Sequence, residues 1–163
     1  MAIPSDFAQE CMYRQPWWFV HDVLELDEAA NRVVAVMDTT QLGDQVAMQH
    51  LWPGHEPHVP AAVMVQATGV LGNLHAAYVL GLRPTQGWVG YGTKVENARF
   101  PAMGRIGPPV TMTLEARRVR KVRGRYFIDY VFTYEQDGEQ IYCSEQSAVW
   151  FQSDHRGPCP DAG

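Results

Sequence analysis

The sequence predicts an α+β domain in which one antiparallel sheet wraps around a single central helix. Three observations predict it: one long apolar helical segment in mid-chain, strand pairs with turn signatures on either side, and enough apolar residues to bury that helix. The chain has 163 residues, 46% of them hydrophobic, which suffices for a packed core without staples. One domain over residues 1–152 is expected, with a disordered tail over 153–163 that is rich in Pro, Gly and Asp.

Ser5 starts a short helical segment over residues 5–13, which Pro16 interrupts. Trp17 to Leu26 and Arg32 to Thr40 are β-branched or aromatic runs around the polar turn from Asp27 to Asn31, a first antiparallel pair. The long loop from Gln41 to Val59 has the length of a functional loop. Pro60 suits the first turn of a helix, because proline has no N–H to lose there. Val63, Met64, Ala67, Val70, Leu71, Leu74 and Tyr78 then recur at helical spacing. Gly69, Gly72, Ala76 and Ala77 keep the rest of the helix small, so it is expected to lie close against a sheet. Gly81 stops it, with Pro84 beyond.

The remainder reads as sheet. Trp88 to Phe100 is a strand region weakened by Gly90 and Gly92. Val110 to Val119 alternates, and a basic turn from Arg120 to Gly124 leads into Tyr126 to Tyr134. Gln136-Asp137-Gly138 then connects to Gln140 through Phe151, and Asp-Gly between alternating runs is a hairpin signal.

Composition excludes several functions. Cys11, Cys143 and Cys159 form no CxxC pair, so neither a disulfide framework nor a zinc site is indicated. No basic-then-apolar leader and no apolar stretch of membrane length is present, and a reducing cytoplasmic setting is expected. The formal charge is −5, yet Arg117, Arg118, Arg120, Lys121, Arg123 and Arg125 lie in one run. An acidic protein with one basic stripe points to an acidic partner met at one place. The domain as a whole is far from basic and carries no nucleic-acid motif, so nucleic acid is not the expected partner.

The chemistry-bearing residues stand at the loop–helix junction: His50, Pro53-Gly54, Pro57, Pro60, Val63-Met64-Val65 and Gln66-Ala67. In this order they resemble the hallmark of the 3-hydroxyacyl-ACP dehydratase family: a histidine, Pro-Gly, two further prolines and an apolar run ending in a carboxylate and alanine. Arg14 to Leu26 is similar to that family's first strand, and Val95-Glu96-Asn97-Ala98-Arg99-Phe100 to its substrate-tunnel strand. The resemblance covers roughly residues 12–152, and its specific part is the loop–helix motif. It implies a hot-dog fold and a homodimer, with the site across the interface and His50 facing Gln66 of the other chain. Substrates carried on acyl carrier protein or CoA are implied as well, in fatty-acyl or polyketide assembly, with no cofactor and no metal. Three departures stand out. The loop is two residues longer than the family's, Ala61 replaces a glycine, and Gln66 occupies the acid position. The longer loop leaves His55 and His58 as alternatives to His50.

Dehydration needs a base at the α-carbon and an acid for the departing hydroxyl. Histidine suits the first task. Glutamine cannot perform the second, since its amide exchanges no proton near neutrality. Thioester hydrolysis and conjugate addition need no such acid. In both, His50 activates water or an amine, Gln66 holds the nucleophile, and the amide of Ala61 or Ala62 stabilises the thioester oxygen. Trp52, Val63, Met64 and Val70 are expected to line either the core or the acyl pocket, and Trp52, Gly54, Val63 and Met64 are the candidates for substrate binding. Arg99, with Lys94 and Tyr91 on the same strand, is a candidate for a carboxylate on a second substrate. The basic run is expected to meet the acidic carrier. Two alternatives remain: a dehydratase with Glu56 or Asp44 as substitute acid, and a non-catalytic acyl-binding subunit.

Overall fold

The computed structural model describes residues 2–153, so the expected disordered tail lies, but for Ser153, outside the described residues. Six antiparallel strands form one sheet in the order β1-β2-β4-β5-β6-β3. They are β1 (Asp22–Asp27), β2 (Arg32–Met37), β3 (Trp88–Arg99), β4 (Val110–Val122), β5 (Arg125–Gln136) and β6 (Glu139–Gln152). Helices α1 (Phe7–Glu10) and α2 (Gly43–Ala47) are short, and α3 (Ala61–Tyr78) is the long one the sheet encloses.

Helix α3 begins where the periodicity predicts. Pro60, at φ −62 and ψ 139, is the extended residue before the first turn rather than a member of it. At the other end Gly81 adopts φ +69, and the amide of Leu82 folds back onto the Ala76 carbonyl at 2.7 Å. Buried residues occur on every side of α3, from Val63, Met64 and Ala67 to Leu71, Leu74 and Ala77. A helix buried all round is a core element, not an amphipathic cover. Its neighbours are the alternating inward residues of the sheet, among them Val33, Ala35, Met112, Leu114, Ile128 and Phe132. Fully burying each of the larger of these side chains stabilises the fold by about 1.5–3 kcal/mol.

Several boundaries differ from the sequence reading. The first strand starts at Asp22, because Gln15–Trp17 around Pro16 closes a 3-10 turn instead of pairing. The loop before α3 contains the helix α2. Strand β4 runs on through most of the basic segment to Val122, and the turn shrinks to Arg123 and Gly124 at φ +50 and +78. Two consecutive positive φ values match the twist of a two-residue hairpin. The same geometry recurs at Asp137 and Gly138, φ +51 and +79, where the Asp-Gly signal predicts it.

Helix α1 is tied to the far end of α3. Arg83 pairs with Asp6 at 2.8 Å and with the buried Glu10 at 3.1 Å, and Tyr78 donates to Asp6 at 2.7 Å. Both Glu10 oxygens accept, from Thr85 Oγ1 at 2.6 Å and from the Thr85 amide at 3.1 Å. A buried carboxylate is tolerated when its lone pairs are met in this way.

Candidate functional site

The segment before α3 is held by its own polar groups. Gln49 donates through Nε2 to the His58 carbonyl at 2.6 Å and accepts from the His58 amide at 3.3 Å. Val59 donates to the Gly104 carbonyl at 2.8 Å, which docks the end of the loop on the segment before β4. Between these ties the chain turns at Gly54, φ +87, with the His55 amide on the Trp52 carbonyl at 2.9 Å.

A groove of about 520 Å³ opens at the start of α3, lined by His55, His58, Ala61, Met64, Phe100 and Met103 among others. His58 Nδ1 lies 3.1 Å from the Glu56 carbonyl. A carbonyl only accepts, so Nδ1 is the donor of this pair. Pro60 O accepts from Val63 at 3.0 Å and from Met64 at 3.3 Å. The amides of Ala61 and Ala62 have no intrahelical acceptor at this end, and both residues are exposed. They face outward at the positive end of an 18-residue helix.

The other expected site residues are placed as follows. His50 and Trp52 are exposed and lie outside the groove, with their rings 5.0 Å apart. Gly54 is exposed at its turn. Val63 packs in the core. Gln66 sits in the second turn of α3, and its amide reaches the Trp17 carbonyl over a long 3.4 Å. Among the described residues no Asp or Glu lines the groove. Glu56 is exposed, and Asp44 in α2 faces a different cavity beside His21 and Gln41. Arg99 ends β3 and lines a separate cleft with Asn97, Cys143 and Glu145.

The basic run is not one stripe. The β4–β5 register shifts between Ala116 and Arg118, so Arg117 is bulged out. Beyond the bulge Val119 faces the buried Ile128, and Arg118 and Arg120 therefore point to the outer face, opposite Asp129 and Phe127. Arg125 joins them there over the Phe151 ring, whereas Lys121 takes the other face and stacks on Tyr126 at 5.2 Å. Arg123 occupies the turn.

A second cavity, about 310 Å³, lies between α3 and strands β3, β5 and β6. Gly69, Gly72, Asn73, Gln146 and Trp150 line it. The sequence reading takes Gly72 as a sign of close packing, but a Cβ there would meet nothing within 4 Å, so the glycine leaves space. Asn73 was legible only as a polar interruption in the apolar helix. Behind the cavity His75 is fully buried, its Nδ1 3.3 Å from Tyr130 Oη, and burial lowers its pKa to about 4. Among the described residues no group of three or more His, Cys, Asp or Glu could hold a metal, and no helix is long and apolar enough to cross a membrane.

No protein-family model matches the chain. It is 26% identical over 132 residues to the 3-hydroxyacyl-(acyl-carrier-protein) dehydratase FabZ of Aromatoleum aromaticum, covering 77% of this chain and 86% of that protein. Among solved structures it is similar to thioesterase HI1161 of Haemophilus influenzae, with a TM-score of 0.62, 14% identity, and 97% and 96% of the two chains covered. The dehydratase heterocomplex ApeI:P of Xenorhabdus doucetiae gives a TM-score of 0.60 at 13% identity, covering 94% and 93%.

Proposed function

We propose, from the premise that this chain is a hot-dog protein of the dehydratase- and thioesterase-like kind, that it processes acyl thioesters by hydrolysis or conjugate addition. One observation carries this reading. The groove at the start of α3 sets His55 and His58 beside Ala61, with His50 on the loop that leads into it, and among the described residues no carboxylate lines it.

In hydrolysis His50 takes a proton from water as the oxygen attacks the thioester carbonyl, and the amides of Ala61 and Ala62 receive the developing oxyanion. The C–S bond then breaks and the protonated histidine returns its proton to the thiolate. In addition to a 2-enoyl thioester the same base deprotonates an amine or water at the β-carbon, and the α-carbon takes the proton back. Gln66 positions the nucleophile in either case, and no hydroxyl has to leave.

The test follows purified protein with 3-hydroxyacyl and 2-enoyl thioesters, with and without amines, by enoyl absorbance and free thiol. Thiol release, or amine-dependent loss of the enoyl signal, is the expected result, with a drop of about 10²–10⁴-fold in His50→Ala. Enoyl formation from the hydroxyacyl substrate by the wild type would instead favour a dehydratase, and silence in every channel a binding subunit. If only Gln66→Glu forms enoyl, the missing acid is what separates this chain from dehydration.

A second reading of the base rests on His58, which lines the groove and whose ring is held by the Nδ1 bond to Glu56 O. Loss of activity in His58→Ala with retention in His50→Ala would move the base there.

Two assembly features accompany the proposal. Strand β3 is an edge of the sheet, with Tyr91, Val95 and the adjoining Phe100 exposed beside a Lys94–Glu96 ion pair, and an edge strand is a template for pairing. Pairing two such edges makes the homodimer, with His50 of one chain beside Gln66 of the other. An acidic carrier protein meets the outer face of the β4–β5 hairpin through Arg118, Arg120 and Arg125. Replacing these three with alanine is expected to raise KM for carrier-bound substrate and leave KM for a short thioester mimic unchanged. Lys121→Ala, on the opposite face, is the control. An equal effect on both substrates would exclude the docking role.

A further inference from the structure

We infer that the free half of strand β4 is a docking edge for an extended acidic segment of another protein, which joins the sheet there as an added strand. This surface is independent of the groove at α3 and of the reaction proposed for it.

Strand β4 runs from Val110 to Val122, but β2 covers it only from Val110 to Glu115. The amide of Ala116 makes the last tie on that side, to the Asn31 carbonyl at 2.9 Å. From Arg117 to Val122 the strand has β5 on one side and, among the described residues, no strand on the other. That is about 20 Å of edge, whose outward amides and carbonyls are a template for pairing. Every residue of this stretch is exposed except Val119, which is half-buried.

The side chains choose the partner. Beyond the bulge at Arg117, the inner face of the edge carries Val119 and Lys121, opposite Ile128 and Tyr126. Its outer face carries Arg118, Arg120 and Val122. Among the described residues none of these cations is held in an ion pair. Opposite charges across two strands attract, and like charges directly opposite repel. A second copy of this edge would set cations against cations, and a neutral strand would leave them unmatched. An acidic strand meets them on both faces. Laid antiparallel to β4, it places acids opposite Lys121 and Arg120, an apolar residue opposite Val119 and an acid opposite Arg118. The segment that fits therefore reads Glu-Glu-Val-Glu or a close equivalent, in extended form. Strand addition of this kind draws affinity from the backbone and selectivity from alternate side chains.

Fluorescence anisotropy with a labelled, capped peptide of core Glu-Glu-Val-Glu tests this on the full chain. Saturable binding is expected. Two further peptides carry N-methyl groups on one or the other alternating set of core residues. The set facing β4 is expected to weaken binding about tenfold or more, because several backbone hydrogen bonds go at once, and the other set to leave it unchanged. Amide hydrogen exchange between Arg117 and Val122 is expected to slow with the peptide bound. The triple variant Arg118→Glu, Arg120→Glu, Lys121→Glu changes only exposed side chains, and its urea midpoint verifies the fold. It is expected to lose this peptide and to bind one of core Lys-Lys-Val-Lys. Absence of binding, equal binding of the two methylated peptides, or undiminished binding by the triple variant would each overturn the inference, whatever the turnover assays give.

Discussion

Gly90→Ala is expected to destabilise the protein by about 3 kcal/mol, the upper end of over-packing costs. Gly90 pairs directly with Trp150 across β3 and β6. A Cβ on Gly90 would stand 2.3 Å from two ring carbons of Trp150 and 2.7 Å from a third. That ring is 3% exposed and packs within the core, so it can yield only toward the cavity it lines. Gly92→Ala, two residues on, is the control, because a Cβ there meets nothing within 4 Å. Urea midpoints of the two variants, and of Gly90→Ala combined with Trp150→Leu, test the cause. The double variant should recover part of the loss, and equal midpoints for Gly90→Ala and Gly92→Ala would refute the clash.

Acidification is the second large effect. His75 is enclosed by the core, and burial lowers its pKa from 6.5 to about 4, so it is neutral in the fold. The unfolded chain binds a proton at this residue from about pH 6.5 downward, before the folded chain does. Its contribution is therefore full above the unfolded value and is lost as pH falls through that interval toward about 4. The interval corresponds to about 3 kcal/mol. Burial also lowers the pKa of His21, which adds in the same direction, although Asp38 opposes it. Asp6 and Asp38, whose pKa values hydrogen bonds hold below the ordinary 3.8, add a loss only at lower pH, as they protonate. Stability measured by urea unfolding at several pH values above their range isolates the histidines. His75→Leu should flatten most of that slope. An unchanged slope would mean that His75 titrates alike in the folded and unfolded chains.

Much of the fold was legible because it rests on short-range chemistry. Helix α3 follows from apolar spacing between Pro60 and Gly81, and the last hairpin follows from Asp137-Gly138. The strand limits were less legible. Arg120 and Lys121 read as a turn because charge resembles a loop, yet long cationic side chains fit an open strand end, where Lys121 also gains the Tyr126 ring. At the site, the sequence marks the histidine loop and Gln66. It does not mark which ring is oriented, since His58 owes its orientation to a carbonyl two residues away and to Gln49 across the loop.

By itself, then, the sequence determined the central helix, the hairpin turns and the histidine-to-glutamine motif with no acid, because each depends on residues near one another in the chain. The tertiary structure decided the rest. Sheet closure and register bring Asn73 and Gly72 to Gln146 and Trp150, press Trp150 over Gly90, and divide the arginines at a bulge after Ala116. Those relations join residues separated by much of the chain, and only a closed sheet makes them neighbours.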